Sequence, residues 1–140
     1  MNHYSGKCSC GEVAIQFSST QKISNYKSRR CDCDDCMQRG IEYLSDPQSQ
    51  ITFISTRALR HEKQGSEQAI FLLCLKCHNV VGVCYINKNI CVGSLNSRLL
   101  EQYDHVQDTV TVSPKNLDKT EKVKLWRELW SQMVVVVNSC

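Results

Sequence analysis

The sequence lacks long hydrophobic runs, an apolar segment near its start and any strong excess of charge. The purely apolar stretches are short: Met133 to Val137, for example, is far shorter than the roughly 20 residues of a membrane-spanning helix and suits a buried strand. The first residues, Met1 to Lys7, show no apolar region typical of a secretory signal peptide. We therefore expect a cytoplasmic protein without a membrane partner, in which thiols stay reduced.

A strongly basic balance, a repeat and a low-complexity linker are also missing. The net charge is only +3, whereas a nucleic-acid footprint normally needs a strongly basic face, so no nucleic-acid partner is expected. The 140 residues contain 41% hydrophobic and 22% charged residues, which is ordinary for a folded protein. The simplest prediction is one domain spanning residues 1–140.

Cysteine, by contrast, is abundant. Seven of the ten cysteines fall into three tight groups: Cys8/Cys10, Cys31/Cys33/Cys36 and Cys74/Cys77. In a reducing compartment such groups indicate metal ligands or nucleophiles rather than disulfides. A redox role for the Cys-x-x-Cys pair is disfavoured, because no βαβ pattern surrounds it.

Two neighbouring thiolates cannot complete a tetrahedral zinc site, so each cysteine pair must find the other pair or different ligands. Joining Cys8/Cys10 to Cys74/Cys77 gives a closed four-cysteine site that ties the start of the chain to its middle. The cysteine triplet then holds a second zinc with one open position, as catalytic zinc sites do. The isolated Cys84 and Cys91 are predicted to be small buried side chains, and Cys140 a free exposed thiol.

The periodicity of apolar residues predicts a β-rich fold with one clear helix near the C-terminus. The helix is capped by Asp118 or Thr120 and places Val123, Trp126, Leu129, Trp130 and Met133 on one face. Gly11 suits a sharp bend, and Gly40 ends a single helical turn. Strands are predicted at 13–17, 23–27, 51–54, 59–63, 68–73, 80–86, 90–95 and 105–112, and the last is either an edge or a meander strand. A turn is predicted at 46–49, and helices are predicted at 37–40, 96–103 and 118–132.

The order of these cysteine groups resembles the glutathione-dependent formaldehyde-activating enzyme family, which includes the centromere protein V group. The resemblance covers residues 6–130, the expected core of the domain. It rests on Cys8-x-Cys10-Gly11, Cys31-x-Cys33-x-x-Cys36 and Cys74-x-x-Cys77, followed by Gly93-Ser94-Leu95, His105-Val106 and Trp126. The sequence departs from the family at His78, where glycine is usual, and after Gly40, where the aromatic and small residues expected near the cysteine loop are missing.

The resemblance implies a mainly β, Mss4-like (β-tent) zinc-binding fold of small twisted antiparallel sheets with a C-terminal helix. It also implies a structural zinc on Cys8, Cys10, Cys74 and Cys77, and a labile zinc on Cys31, Cys33 and Cys36. The implied activity is that of a carbon–sulfur lyase, which condenses formaldehyde or a related small electrophile with glutathione or another thiol. The expected partners are thus a small-molecule thiol and an aldehyde.

Several residues have alternative roles in this interpretation. Arg29 and Arg30 either hold a glutathione carboxylate, offset the thiolate charge or are simply solvated. His105 either moves the thiol proton, fills the open zinc position or has neither role, and His78 is a further candidate ligand. The alternative function is a non-catalytic, zinc-stabilised binding module, and a third hypothesis is a detoxification enzyme for a different aldehyde or a halogenated molecule.

Overall fold

A computed structural model describes residues 1–31, 34–63, 69–87, 90–112 and 117–137. Strands make up most of the regular structure, which confirms the prediction of a mainly β fold. They are β1 (Asn2–Lys7), β2 (Val13–Ser19), β3 (Lys27–Cys31), β4 (Tyr43–Leu44), β5 (Gln50–Ser55), β6 (Arg60–Lys63), β7 (Ile70–Leu73), β8 (Val80–Asn87), β9 (Ile90–Asn96), β10 (Gln107–Val112) and β11 (Ser131–Val137). The α-helices are α1 (Asp34–Arg39) and α2 (Lys119–Leu129), and short 3-10 helices span Ile23–Asn25, Ser97–Leu99 and Tyr103–His105.

The strands join into one sheet with a branch. The main path runs β1-β2-β5-β11-β9-β4-β3-β10. The branch starts at β9, which pairs with β8; β8 pairs with β7, and β7 pairs with β6. Most neighbours are antiparallel, but β11 lies parallel to β5, and β10 lies parallel to β3. The sheet thereby brings together segments that are far apart in the sequence.

Strand β8 separates two hydrophobic clusters. Val81 and Cys84 belong to the first cluster, with Phe17 and Phe53, and Val83 belongs to the second, with Trp126. Five consecutive residues of β8 are buried, because both faces of the strand are covered. This explains why its sequence is continuously apolar, whereas Val13, Ile15 and Phe17 of β2 are buried at every second position.

Most of the predicted strands are confirmed, but the one at 23–27 is wrong. Ile23–Asn25 form a 3-10 turn, and β3 begins only at Lys27. The reason is tertiary anchoring, since the backbone N–H of Ile23 donates to the hydroxyl of Tyr4 and the Tyr26 hydroxyl donates to buried Asp46. These contacts replace the pairing that a strand would need at this place.

The predicted helical turn before Gly40 is confirmed as the end of α1. Gly40 adopts a φ of 63°, the left-handed conformation that commonly ends helices. The helix predicted at 96–103 is wrong, because the chain forms separate 3-10 turns at Ser97–Leu99 and Tyr103–His105. The edge strand that follows is confirmed, but it begins at Gln107 rather than at His105.

Helix α2 begins as predicted and ends earlier. The Asp118 carboxylate accepts a hydrogen bond from the backbone N–H of Glu121 at 2.8 Å, which confirms this residue as the N-cap. The helix ends at Leu129, so the placement of Met133 on its apolar face is wrong. No described helix has the length and apolar character needed to cross a membrane.

The residues after α2 form β11 instead. The four valines Val134–Val137 are β-branched and favour an extended chain, which pairs with β5 from Gln132 to Val137. Met133 is buried against the core, but the valines are each 38% to 46% exposed. The prediction that Met133–Val137 form a strand is therefore confirmed, but the prediction that this strand is buried is correct only for Met133.

Candidate metal centre

Four cysteines meet where two turns of the sheet approach each other. Cys8 and Cys10 lie in the turn from β1 to β2, and Cys74 and Cys77 lie in the turn from β7 to β8. Their four sulfur atoms all lie within 4.8 Å of one another, and the Cys10 sulfur is 3.6 Å from those of Cys8 and Cys74. The structure thus brings together the four residues that the sequence paired.

The sulfur spacing fits a tetrahedral zinc ion. A Zn–S bond of about 2.3 Å places the sulfurs of a regular tetrahedron about 3.8 Å apart. The two 3.6 Å separations come close to that value. Four soft thiolate donors favour zinc over magnesium or calcium, which prefer oxygen ligands, and they leave no position open for a substrate.

The first turn is shaped by backbone hydrogen bonds around Cys8. The Cys8 N–H donates to the carbonyl of Val13 at 3.0 Å, and the Gly11 N–H donates to the carbonyl of Cys8 at 3.0 Å. Gly11 has a φ of 80°, which confirms the sharp bend predicted there. The Val13 N–H also points at the Cys8 sulfur at 3.3 Å, a contact that stabilises a thiolate.

The second turn contains the unusual residue His78. Its N–H donates to the carbonyl of Cys74 at 3.0 Å, and its φ of 63° is left-handed, a conformation that glycine adopts most easily. The backbone therefore keeps a glycine-like turn although the residue is histidine. The His78 side chain is exposed, and the four-thiol cluster within the described ranges does not include it.

The two turns are held together by residues that the sequence patterns did not single out. Asn79 accepts hydrogen bonds from the N–H and the hydroxyl of Ser9 at 2.7 and 2.6 Å. Glu12 lies 3.8 Å from the Cys74 sulfur, and Arg57 pairs with Glu12 at 3.0 Å. Each residue except Arg57 is next to or two positions from a ligand, which is the only signal that the sequence offers for them.

Burial and hydrogen bonding push the pKa values of two thiols in opposite directions. Burial raises the pKa of Cys74 to about 12, although backbone N–H groups stabilise its thiolate. Burial also disfavours the thiolate of Cys77, but the N–H groups of Asn79 and Cys10 and the neighbouring thiols outweigh it and lower its pKa to about 6. With Cys74 protonated, the four sulfurs can lie this close without a cation, whereas ionisation of all four thiols would need a bound cation to offset their mutual repulsion.

The predicted three-cysteine site lies mostly outside the described residues. Cys33 and the side chain of Cys36 are not described, and the backbone of Cys36 belongs to α1. Cys31 is described at the end of β3, where its side chain is buried. A second metal on this triplet therefore stays a prediction, as does an exposed thiol at Cys140, which also lies outside the described ranges. Cys84 is buried as expected, and Cys91 is half-buried.

The predicted polar residues occupy separate places. Arg29 is half-buried and donates to the hydroxyl of Ser45, and burial lowers the pKa of its guanidinium. Arg30 is 52% exposed and lies 3.9 Å from Glu42. His105 is exposed at the end of a 3-10 helix. Their roles toward a thiol or a zinc ion remain predictions.

Glu42 is the centre of a buried polar network that sequence patterns did not indicate. Its side chain is only 5% exposed and accepts hydrogen bonds from Tyr103, at 2.6 Å, and from Thr109. Arg30 and Arg98 lie 3.9 and 3.6 Å from its carboxylate. Burial alone would raise the pKa of Glu42, but the hydrogen bonds from Thr109 and Tyr103 and the two arginine charges outweigh it and lower the pKa.

Replacing Glu42 with glutamine is expected to lower the free energy of unfolding by about 2 kcal/mol at neutral pH. Breaking a fully buried ion pair costs about 3–5 kcal/mol, but Arg30 and Arg98 are 52% and 54% exposed, so water screens their charges. Because the pKa of Glu42 is lower in the folded protein, its carboxylate stabilises the fold fully at pH values above the unfolded-state pKa of about 4.3. This stabilisation is lost as the pH falls through the pKa that Glu42 has in the folded protein.

Urea unfolding of the wild type and of Glu42→Gln from pH 7 to pH 3 tests this expectation. Metal loss in acid affects both proteins alike, so the difference between them isolates the carboxylate. The matched control is Glu128→Gln on the exposed side of α2, which should equal the wild type throughout. If the difference in the free energy of unfolding between the wild type and Glu42→Gln stays constant down to pH 3, the stabilisation does not come from the ionised Glu42 carboxylate.

Comparison with known proteins establishes the fold alone. No protein-family model matches the chain, and no curated protein matches it. A crystal structure of a Rhodobacter sphaeroides protein is similar, with a TM-score of 0.55 and 22% sequence identity. The match covers 76% of this chain and 99% of that chain, so the two proteins share most of one architecture.

Proposed function

We propose that the protein binds a structural zinc ion through Cys8, Cys10, Cys74 and Cys77. The observation that carries this proposal is the convergence of four sulfur atoms within 4.8 Å from two turns more than 60 residues apart. A zinc ion there would link the start of the chain to the β7–β8 turn, and its binding free energy would add to the stability of the fold. A β-tent architecture is consistent with a β-rich fold joined by such an ion.

We further propose that the cysteine triplet Cys31, Cys33 and Cys36 holds a second zinc and makes the protein a carbon–sulfur lyase-like enzyme. The family resemblance supports this, because a three-thiolate site keeps a position open for a thiol. A zinc ion there would favour the ionised form of a thiol such as glutathione at neutral pH.

The proposed reaction forms one bond and moves one proton. The sulfur of the thiol bonds to the carbonyl carbon of formaldehyde or a related aldehyde as the C=O π bond breaks, and the proton released from the S–H bond ends on the former carbonyl oxygen, giving a hemithioacetal. His105 is the candidate to carry that proton, and Arg29 or Arg30 is the candidate to hold a carboxylate of the thiol substrate.

The competing proposal is a non-catalytic, zinc-stabilised binding module. It is favoured by one observation, namely that the four-cysteine cluster has a closed donor set and no position for a substrate. The two proposals differ in whether the triplet binds metal and accelerates the condensation.

Zinc content and turnover of the reduced wild type and of Cys33→Ser separate them. The lyase proposal predicts two zinc ions per wild-type chain, and one zinc, an unchanged circular dichroism spectrum and loss of turnover in Cys33→Ser. Turnover is the loss of free formaldehyde with glutathione above the spontaneous rate. Cys91→Ser, which changes a half-buried cysteine outside all three groups, is the matched control and should keep both zinc ions.

Three outcomes would contradict the lyase proposal. Wild-type protein with two zinc ions and no rate above the spontaneous condensation would leave the binding module as the better proposal. Collapse of the fold in Cys33→Ser would make the triplet structural. If the wild type and Cys33→Ser each bind one zinc ion, the triplet does not bind a second zinc, and the proposal of a four-cysteine site is unaffected.

A further inference from the structure

A small cavity lies between α2 and the sheet, apart from the four-cysteine cluster. It encloses about 70 Å³, and its walls are mainly apolar. Trp126 and Trp130 stack there at 4.9 Å between ring centroids, with an interplanar angle of 12°. The residues that matter for its chemistry are Arg29, Cys31, Tyr43, Leu129, Trp126 and Trp130.

Among the described residues that line this cavity, Arg29 is the one cationic residue, and it differs from five of the other six arginines. Five other arginines lie within 4 Å of a carboxylate: Arg30, Arg39, Arg57, Arg60 and Arg98. Arg29 has no such partner within the described part of the chain, although it is half-buried. Its described polar contact is the neutral hydroxyl of Ser45, which itself donates to the carbonyl of Leu129.

A partly desolvated guanidinium that no carboxylate of the described residues neutralises favours an anion. A guanidinium carries five N–H donors in a planar fork, and Ser45 uses one of them, so paired donors remain for a carboxylate. The apolar walls exclude a small, fully hydrated ion such as phosphate, because its remaining oxygens would face indole and aliphatic carbon. They suit a ligand that has one charged end and an apolar body.

The volume limits the size of that ligand. A water-sized group needs about 10–15 Å³ of cavity volume, so the cavity holds roughly five such groups. We infer that this cavity binds a small organic monocarboxylate, with its carboxylate on Arg29 and its short apolar chain against Trp126 and Trp130. This site needs neither zinc ion, although Cys31 in its wall places it beside the proposed second metal.

The two tryptophans provide a direct test, because the chain contains no others. Butyrate should change the tryptophan emission of the zinc-loaded protein saturably, and its neutral isostere butyramide should bind at least about tenfold more weakly, since it cannot form the charge-assisted pair. Equal affinities for butyrate and butyramide would overturn the inference, and so would the absence of a saturable change with butyrate.

Variants of Arg29 test whether its guanidinium binds the carboxylate of butyrate. Arg29→Met should weaken butyrate binding at least about tenfold and leave butyramide unaffected, whereas Arg29→Lys should retain part of the preference for butyrate. Arg127→Met, an exposed arginine on the same helix as Trp126, is the matched control and should bind butyrate like the wild type. Undiminished butyrate binding by folded Arg29→Met would overturn the assignment, and if that variant does not fold, the comparison of butyrate with butyramide on the wild type decides.

Discussion

Replacing Cys74 with serine is expected to abolish binding of the proposed structural zinc and to lower the free energy of unfolding by about 5 kcal/mol or more. Structural zinc sites contribute apparent binding free energies of about 10–16 kcal/mol in small domains, and the loss of one thiolate forfeits a large part of this. Cys74 is fully buried at the end of β7, so its replacement also leaves a hydroxyl among sulfur atoms. The melting temperature should fall by roughly 10–20 °C, at about 2–4 °C per kcal/mol.

Zinc analysis after dialysis and thermal unfolding measure the two effects. Cys91→Ser should keep the zinc and most of the stability, because this half-buried cysteine lies outside the cluster. A strong chelator added to the wild type should reproduce the Cys74→Ser melting curve. Retention of a full zinc complement by Cys74→Ser, with an unchanged melting temperature, would show that the four thiols are merely neighbours.

Replacing Phe53 with alanine is expected to lower the free energy of unfolding by about 3–5 kcal/mol. Phe53 is completely buried at the centre of β5, between β2 and β11, and its ring lies over Gly82 of β8. A Cβ atom on Gly82 would come within 2.8 Å of that ring, so the glycine leaves the space that the ring fills. Removal of the ring therefore opens a cavity that β8 cannot close by a small shift.

Urea unfolding of the zinc-loaded proteins measures this cost without interference from metal loss. Thr52→Ala is the matched control, because its side chain points to the opposite face of β5 and is half-buried. It should cost less than about 1 kcal/mol, in line with most substitutions away from the core. A similar cost for the two variants would mean that Phe53 is not central to the packing of the sheet.

The cysteine cluster was predictable because a tetrahedral ion imposes a rule on short segments. Cys8/Cys10 and Cys74/Cys77 each supply two ligands, and neither pair can complete a site alone. The sharp bend at Gly11 followed from the same rule. The residues that support the cluster were hardly predictable, since Asn79 and Glu12 act through tertiary contacts, and their position two residues from a ligand is the only signal in the sequence.

The strands were predictable where one or both faces are buried. Buried and less buried residues alternate in β2, because side chains point to opposite faces of the sheet in turn and one face is covered. In β8 both faces are covered, so its sequence is continuously apolar. The segment at 23–27 has a similar local pattern, yet Tyr26 is anchored by buried Asp46 and the chain turns there instead. Local pattern cannot reveal such an anchor, because the two residues are 20 positions apart.

By itself, the sequence determined the β-rich class, a helix that starts near Asp118 and the four thiols that come together. The first two depend on local residue patterns, and the third depends on the four ligands that a tetrahedral metal site requires. Only the tertiary structure decided that the chain after Leu129 returns as a parallel strand beside β5, and that Glu42 is buried among Tyr103, Thr109 and two arginines. It also decided that Arg29 lines an apolar cavity. These features depend on contacts between distant segments, which residue spacing along one segment does not encode.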